Sequence, residues 1–173
     1  MKLSTVTIAV LTFLTSGNLY ADQYVCKNIS GTIQPSTVDP DCNILKFKDR
    51  QFPDVTFLGP LPPGAPPVCF IGTLTATLGK SLKLTGTAFS GLFANGLGQL
   101  TGASAIKLSA GPIELGRIFT KDLIFNPEGA TTELLTMVGG SKTFKDGRGQ
   151  FEITGNILYE TAPFTGQLCV EDD

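Results

Sequence analysis

Residues 68–90 read VCFIGTLTATLGKSLKLTGTAFS, and this stretch decides the fold. Phe70, Gly72, Leu74, Ala76 and Leu78 alternate with Ile71, Thr73, Thr75 and Thr77. A period of two places each set on one face of an extended strand, because successive side chains leave the pleat on opposite sides. Gly79-Lys80 supplies a tight turn. Residues 81–90 then resume the alternation, with Leu82, Leu84, Gly86 and Ala88 on one face. The pair is an antiparallel hairpin.

The same grammar continues toward the C-terminus. Residues 91–98 form a glycine-rich loop turning at Asn95-Gly96, and residues 99–110 put Leu100, Ile106 and Leu108 on one face. Gly111-Pro112 punctuates, and residues 113–126 alternate through Leu115, Arg117, Phe119, Lys121, Leu123 and Phe125. After the turn at residues 126–129, residues 131–138 carry Leu134 and Val138 on one side. Residues 149–160 align Phe151, Ile153, Gly155, Ile157 and Tyr159, and residues 165–171 form the last strand. No stretch of useful length has a helical period. Seven strands follow Val68, with one or two before it, around residues 24–33 and 54–58. The fold class is therefore all-β. Hairpin linkage, glycines inside strands and the advantage of removing open edges predict an antiparallel closed β-barrel of about eight strands. An immunoglobulin-like sandwich is disfavoured, since the chain has no Trp.

Residues 22–67 have a different texture. Pro35, Pro40, Pro53, Pro60, Pro62, Pro63, Pro66 and Pro67 lie there, and proline is poorly suited to central strands. The expected organisation is an irregular Pro-rich N-terminal extension over 22–67, packed on a barrel core over 68–173, the two forming one domain. Before them, Lys2, an apolar run over residues 6–14 and a small residue at Ala21 have the order of an export signal, 1–21, removed from the mature chain. The run is too short to span a bilayer, which needs about 20 apolar residues, and no second long apolar run exists. The expected location is extracytoplasmic, secreted or periplasmic.

Removal of 1–21 leaves 173 − 21 = 152 residues, with 13 − 1 = 12 basic against 15 acidic side chains. So weak a balance argues against a nucleic-acid surface. Cys26, Cys42, Cys69 and Cys169 remain, and an even number in an exported chain reads as two disulfides. The expected pairing is Cys26–Cys42, closing a local loop, and Cys69–Cys169, tying the first core strand to the last. Zinc is disfavoured, because there is no His and no close Cys-x-x-Cys pair. No phosphate loop or other cofactor motif is present, and the absence of His excludes His-dependent triads.

The stretch Gly139-Gly140-Ser141-Lys142-Thr143-Phe144-Lys145-Asp146-Gly147-Arg148-Gly149 resembles a signature of the dirigent and allene oxide cyclase-like barrels. Gly139, Gly140, Phe144 and Gly149 match outright, Ser141 and Gly147 are mild changes, and Lys142 replaces a glycine. Glu114-Leu115-Gly116, followed by a strand with Asp122, is in the same style. The resemblance implies eight antiparallel strands around an apolar cavity, often in a trimer. It also implies a role in steering a radical coupling or a cyclisation. It transfers no catalytic residue to this chain.

Arg117 and Lys121 share a face with Leu115, Phe119 and Leu123. If that face points inward, a charge lines the cavity, with Glu133 or Glu152 as its partner. The plainer reading turns it outward and sends Ile118, Thr120 and Ile124 inward. Arg117, Glu152 and Tyr159 are the weak catalytic candidates should they converge. Lys142, Lys145 and Arg148 form a small basic cluster, read as a solvated turn. Asn28-Ile29-Ser30 is a glycosylation sequon, meaningful in a eukaryotic source. The leading functional reading is a non-enzymatic barrel that binds a small apolar ligand or a protein partner. Its rivals are a dirigent or cyclase-like helper and a structural or adhesive surface protein with exposed Thr-rich faces.

Overall fold

The computed structural model describes residues 24–52, 69–94, 100–125, 131–157 and 159–171. The expected export segment, the strand at residues 54–58, the Pro-rich connector at 61–67 and the turns at 95–96 and 126–129 lie outside them.

The described residues form nine strands: β1 (Tyr24–Ile33), β2 (Thr37–Val38), β3 (Cys69–Leu78), β4 (Leu82–Ala94), β5 (Leu100–Ala110), β6 (Ile113–Phe125), β7 (Thr132–Gly140), β8 (Arg148–Thr154) and β9 (Ala162–Glu171). From β3 to β9 each pairs antiparallel with its sequence neighbour, the up-and-down order that the hairpin turns predict. β1 closes the ring. It pairs along its whole length with β9, Tyr24 opposite Glu171 and Ile33 opposite Ala162. Its second half also pairs with β3, Ile29 opposite Leu78 and Ile33 opposite Leu74. Eight strands thus form a closed antiparallel barrel, and the short β2 continues the β3 edge beyond Ile33. The N-terminal region is divided: Tyr24–Ile33 is a barrel stave, and residues 42–52 lie outside it.

An eight-stranded barrel has an interior just wide enough for side chains to fill. Alternation sends Ile29, Leu74, Leu84, Ile106, Ile118, Leu135, Phe151, Ile153, Phe164 and Leu168 into one buried cluster. A second apolar cluster lies on the outer surface. Ile44, in a 3-10 turn over Asn43–Phe47, and Phe52, after the short helix α1 (Lys48–Gln51), pack on Ala103, Ala105 and Phe119. Small residues at 103 and 105 leave room for this cover, so β5 is buried on both faces. Phe119 meets Phe52 edge-on, with centroids 6.1 Å apart, a favoured arrangement of ring quadrupoles.

The Gly139–Gly149 stretch is the lid of one barrel end. Two register shifts break the ladders here: Leu115 is the extra residue of β6 opposite Leu108 and Ser109, and Val138 is the extra residue of β7 opposite Phe119 and Thr120. A 3-10 turn over Lys142–Phe144 folds across the opening, and Phe144 is buried in the interior cluster. Ser141 is anchored both ways, its N–H donating to Arg117 O at 2.9 Å and its Oγ accepting from Arg117 N at 3.1 Å. Gly116, at φ +140°, makes the approach possible, since a Cβ there would meet Ser141 O at 2.1 Å. Lys142 stands at φ 55°, in the left-handed region. The signature's glycine at this position has a physical reason, and lysine is retained here while its ammonium reaches Glu114 Oε1 at 3.0 Å.

The expected cysteine pairing is corrected: the bonds are Cys26–Cys169 and Cys42–Cys69. The last strand meets β1 rather than β3. Cys169 is therefore the direct register partner of Cys26, with Cα atoms 3.9 Å apart. Cys69, at the start of β3, faces the turn that carries Cys42. Asp39 shapes that turn: its N–H donates to Cys69 O at 2.9 Å, and its carboxylate accepts from Asn43 N at 2.7 Å and Asn43 Nδ2 at 2.9 Å.

The bonds close loops of sequence separation 143 and 27. On loop-closure entropy these are worth about 5 and about 3.5 kcal/mol. Non-reducing peptide mapping is expected to recover these two links. Denaturant unfolding is expected to show a larger stability loss for Cys26→Ser with Cys169→Ser than for Cys42→Ser with Cys69→Ser. An equal or reversed order contradicts the closure argument.

Candidate functional site

The barrel interior is apolar along most of its length and polar at one level. The polarity comes from inward positions on four consecutive strands. On β4 the inward alternation of Leu84 and Ala88 reaches Ser90. On β5, Leu108 and Ile106 lead to Ser104. On β6, Ile118 and Thr120 lead to Asp122. On β7, Met137 and Leu135 lead to Glu133. Ser90 and Ser104 are register partners, with hydroxyl oxygens 2.8 Å apart. Ser104 Oγ donates to Asp122 Oδ2 at 2.6 Å. Asp122 lies opposite Leu135 and Ile124 opposite Glu133, so the two carboxyls are diagonal neighbours on the inner face.

Both acids are buried, Asp122 at 4% exposure and Glu133 at 9%. Burial raises Asp122 from 3.8 to about 6, with the Ser104 and then the Thr120 hydroxyl opposing it. Burial also raises Glu133 from 4.5 to about 8, reinforced by the charge of Asp122. A carboxylate out of water loses hydration, and a second negative charge beside it makes ionisation harder still. The two titrate as a pair, each making the ionisation of the other harder. Asp122 Oδ1 is buried and has no hydrogen-bond partner among the described residues.

Two adjoining cavities flank this level. One, of about 40 Å³, is lined by Ile29, Leu74, Ala88, Ile106, Ile118, Phe151 and Phe164, together with Ser90, Ser104 and Glu133. The other, of about 80 Å³, is lined by Phe70, Leu92, Ile124, Asn156 and Ile157, with Ser90, Asp122, Thr131 and Glu133. Ser90, Glu133 and Ile157 border both. Among the described residues, no Lys or Arg lines either one. Among the same residues, no group of three or more Cys, Asp or Glu is placed to hold a metal ion.

The candidates read from sequence are not brought together. Arg117 is on the outer face, its guanidinium carbon 5.6 Å from the centre of the Phe47 ring. Lys121 is exposed beside it, while Ile118 and Thr120 point inward, as the plainer reading of β6 predicts. Glu152 is exposed, since its neighbours Phe151 and Ile153 take the inner face. Tyr159 is 81% exposed. Its alternation with Phe151 and Ile153 fails because β8 ends at Thr154 and Gly155, at φ 110°, turns the chain away. Each residue of the basic cluster has a neighbour: Lys142 pairs with Glu114, and Lys145 Nζ lies 3.8 Å from Asp146 Oδ2. Arg148 stacks 4.3 Å from the centre of the Tyr24 ring. Glu114 also accepts from Lys107 at 2.8 Å, and these two ammonium contacts lower its carboxyl to about 2.

In sequence, Asp122 stands out only as part of the family pattern and Glu133 only as a partner for Arg117. The usable signal is their phase. Each falls on the face of its strand that also carries Ile118 or Leu135, as Ser104 falls with Ile106. On β7 the side carrying Leu134 and Val138 faces outward, and Glu133, Leu135 and Met137 face in. Compared with family models, with curated proteins and with solved structures, the chain matches none. Among the described residues no helix is long and apolar enough to cross a membrane.

The buried pair sets a pH dependence. Both folded-state values lie above the unfolded ones, so between about pH 4 and 8 the folded chain binds more protons than the unfolded chain. Their stabilising neutral forms are complete below that window and are lost as pH rises through it. Glu114, shifted the other way, acts at lower pH. Calorimetry is expected to show Tm falling from pH 5 to pH 8, and Glu133→Gln is expected to flatten the fall. A Tm that rises over this range in the unmodified protein contradicts the assignment.

Proposed function

We propose that the protein is exported, with residues 1–21 removed, and that it binds a small, slender apolar molecule inside the barrel without transforming it. The observation that carries this reading is the apolar cavity between Ala88, Ile106, Ile118 and Phe164 in a closed barrel. Interiors are ordinarily close-packed, and an apolar void gives an apolar guest contact surface without the loss of any protein hydrogen bond. The modest cavity volumes favour a linear or flat body over a bulky one. The apolar N-terminal run and the two disulfides support export, because such bonds persist in oxidising compartments.

One observation favours a second reading, assistance of a cyclisation as in the barrels that the Gly139–Gly149 stretch resembles. Burial and the charge of Asp122 push the Glu133 carboxyl up to about 8 beside an apolar cavity, which suits a positioned acid. Recovery of a bound unsaturated epoxide separates the two. An unchanged guest means binding, and a cyclised guest whose formation needs Glu133 means catalysis.

A panel of short aliphatic and aromatic compounds is expected to raise Tm in a thermal-shift assay. Ala88→Ile, which fills the cavity, is expected to weaken binding about tenfold or more while leaving a folded barrel, overpacking itself costing about 1–3 kcal/mol. Binding unaffected by this substitution places the guest elsewhere and ends the interior reading.

A further inference from the structure

The interior polar level specifies the head group of the ligand, an inference that rests on the interior-binding reading above. Asp122 is 4% exposed and its Oδ2 is engaged by Ser104 at 2.6 Å. Asp122 borders the larger cavity, and its Oδ1 makes no hydrogen bond among the described residues, although the Thr120 hydroxyl on the same inner face acts on the carboxyl. A buried polar oxygen without a partner carries its full desolvation penalty. What the acidic pair lacks among the described residues is a counter-charge. The side chains at this level are carboxyls and hydroxyls, and among the described residues no cation lines either cavity.

The choice among donors follows from charge. A carboxylate head, as on a fatty acid, would bring a third acid beside two that already oppose each other's ionisation. An alcohol would satisfy Oδ1 but leave the charge of the pair uncompensated in a dry interior. An ammonium does both, giving a charge-assisted hydrogen bond and a counter-charge where solvent screening is weak. The geometry also separates head from body. Glu133 and Ser90 border both cavities, and the cavity on their other side is walled by Ile29, Leu74, Ile106 and Ile118.

We propose that the barrel takes a slender apolar molecule bearing a primary amine, its ammonium donating to Asp122 Oδ1 and its hydrocarbon lying in the apolar cavity. The acceptors within reach of such a head are the second carboxyl, Glu133, and the Ser90 and Ser104 hydroxyls. The titratable groups facing it are Asp122 from β6 and Glu133 from β7. β3, β4 and β5 present Phe70, Ser90 and Ser104, which do not titrate. Amine binding therefore strengthens as pH rises from 5 to 7.5 and the pair gives up a proton, whereas an alcohol of equal length responds little.

The test compares hexylamine, 1-hexanol and hexanoate on the mature chain at pH 7.5, read by NMR shifts of the Ile29, Ile106 and Ile118 methyls. Hexylamine is expected to bind about tenfold or more tighter than hexanol, as one charge-assisted hydrogen bond implies, with hexanoate weakest. Its advantage is expected to shrink at pH 5. Asp122→Asn is expected to remove most of the advantage, changing hexanol binding far less than hexylamine binding. Should that variant fold poorly, the pH series on the unsubstituted protein decides the same point. Hexanol and hexylamine binding equally, or hexanoate binding as tightly as the amine, overturns the head-group assignment and leaves interior binding standing. No shift of the interior methyls with any of the three overturns both.

Discussion

The pairing of β1 with two partners holds the rest of the structure in place. β9 and β3 are the terminal strands of a seven-strand meander, and each would otherwise present a row of unpaired backbone groups. β1 satisfies β9 along ten residue pairs and β3 along five. An unpaired buried N–H or C=O costs as much as a lost hydrogen bond, so insertion of this one strand decides whether the sheet closes. The Cys26–Cys169 bond lies within the same ladder and ties together residues 143 apart. Closure joins the two ends of the chain, so its loop entropy is lost before its contacts form, and late assembly of this seam is the expected folding order.

Closure also defines an inside, and the two faces of each strand then meet different demands. The inner face carries the main apolar cluster. Among the described residues, much of the outer face is solvated, and residues 42–52 cover part of β5 and β6. There Ala103 and Ala105 admit Ile44 and Phe52, so the outward Phe119 is buried as thoroughly as the inward Ile118. The bond from Cys42 to Cys69 and the Asp39 contacts hold this cover on the wall. At one end, beyond the bulges of β6 and β7, the 142–144 turn places Phe144 in the core.

The Asp122–Glu133 level departs from the rule that small barrels fill their interiors with apolar side chains. Its burial is incompletely compensated: one oxygen of Asp122 has Ser104, and the other has no described partner. An acidic level between two small cavities carries a desolvation cost that an apolar filling of the same space would not. The charged side chains on the outside behave differently. Glu114, Lys107 and Lys142 form an exposed network across the β5–β6 hairpin and the lid turn, where water screens it.

Period-two alternation and turn residues by themselves indicated most of the strands from β3 onward, their up-and-down order and the all-β class, because both signals are local. They favoured the inward face of β6, where Ile118 and Thr120 stand against Arg117 and Lys121, and the structure has it so. They could not assign β7, whose two faces both offer apolar side chains. Only pairing with β6, Asp122 opposite Leu135, turned Glu133 inward. They carried Tyr159 onto a strand face that a left-handed glycine at 155 ends. They pointed Cys69 toward Cys169 because β3 and β9 are the two ends of the meander, whereas β1 stands between those ends in the closed ring. Each of these outcomes depends on which residues meet across the ring, a long-range property set by hydrogen-bond register and by the width of the barrel. The buried acid pair belongs to the same class: its residues are visible in the sequence, but their convergence exists only once the ring is closed.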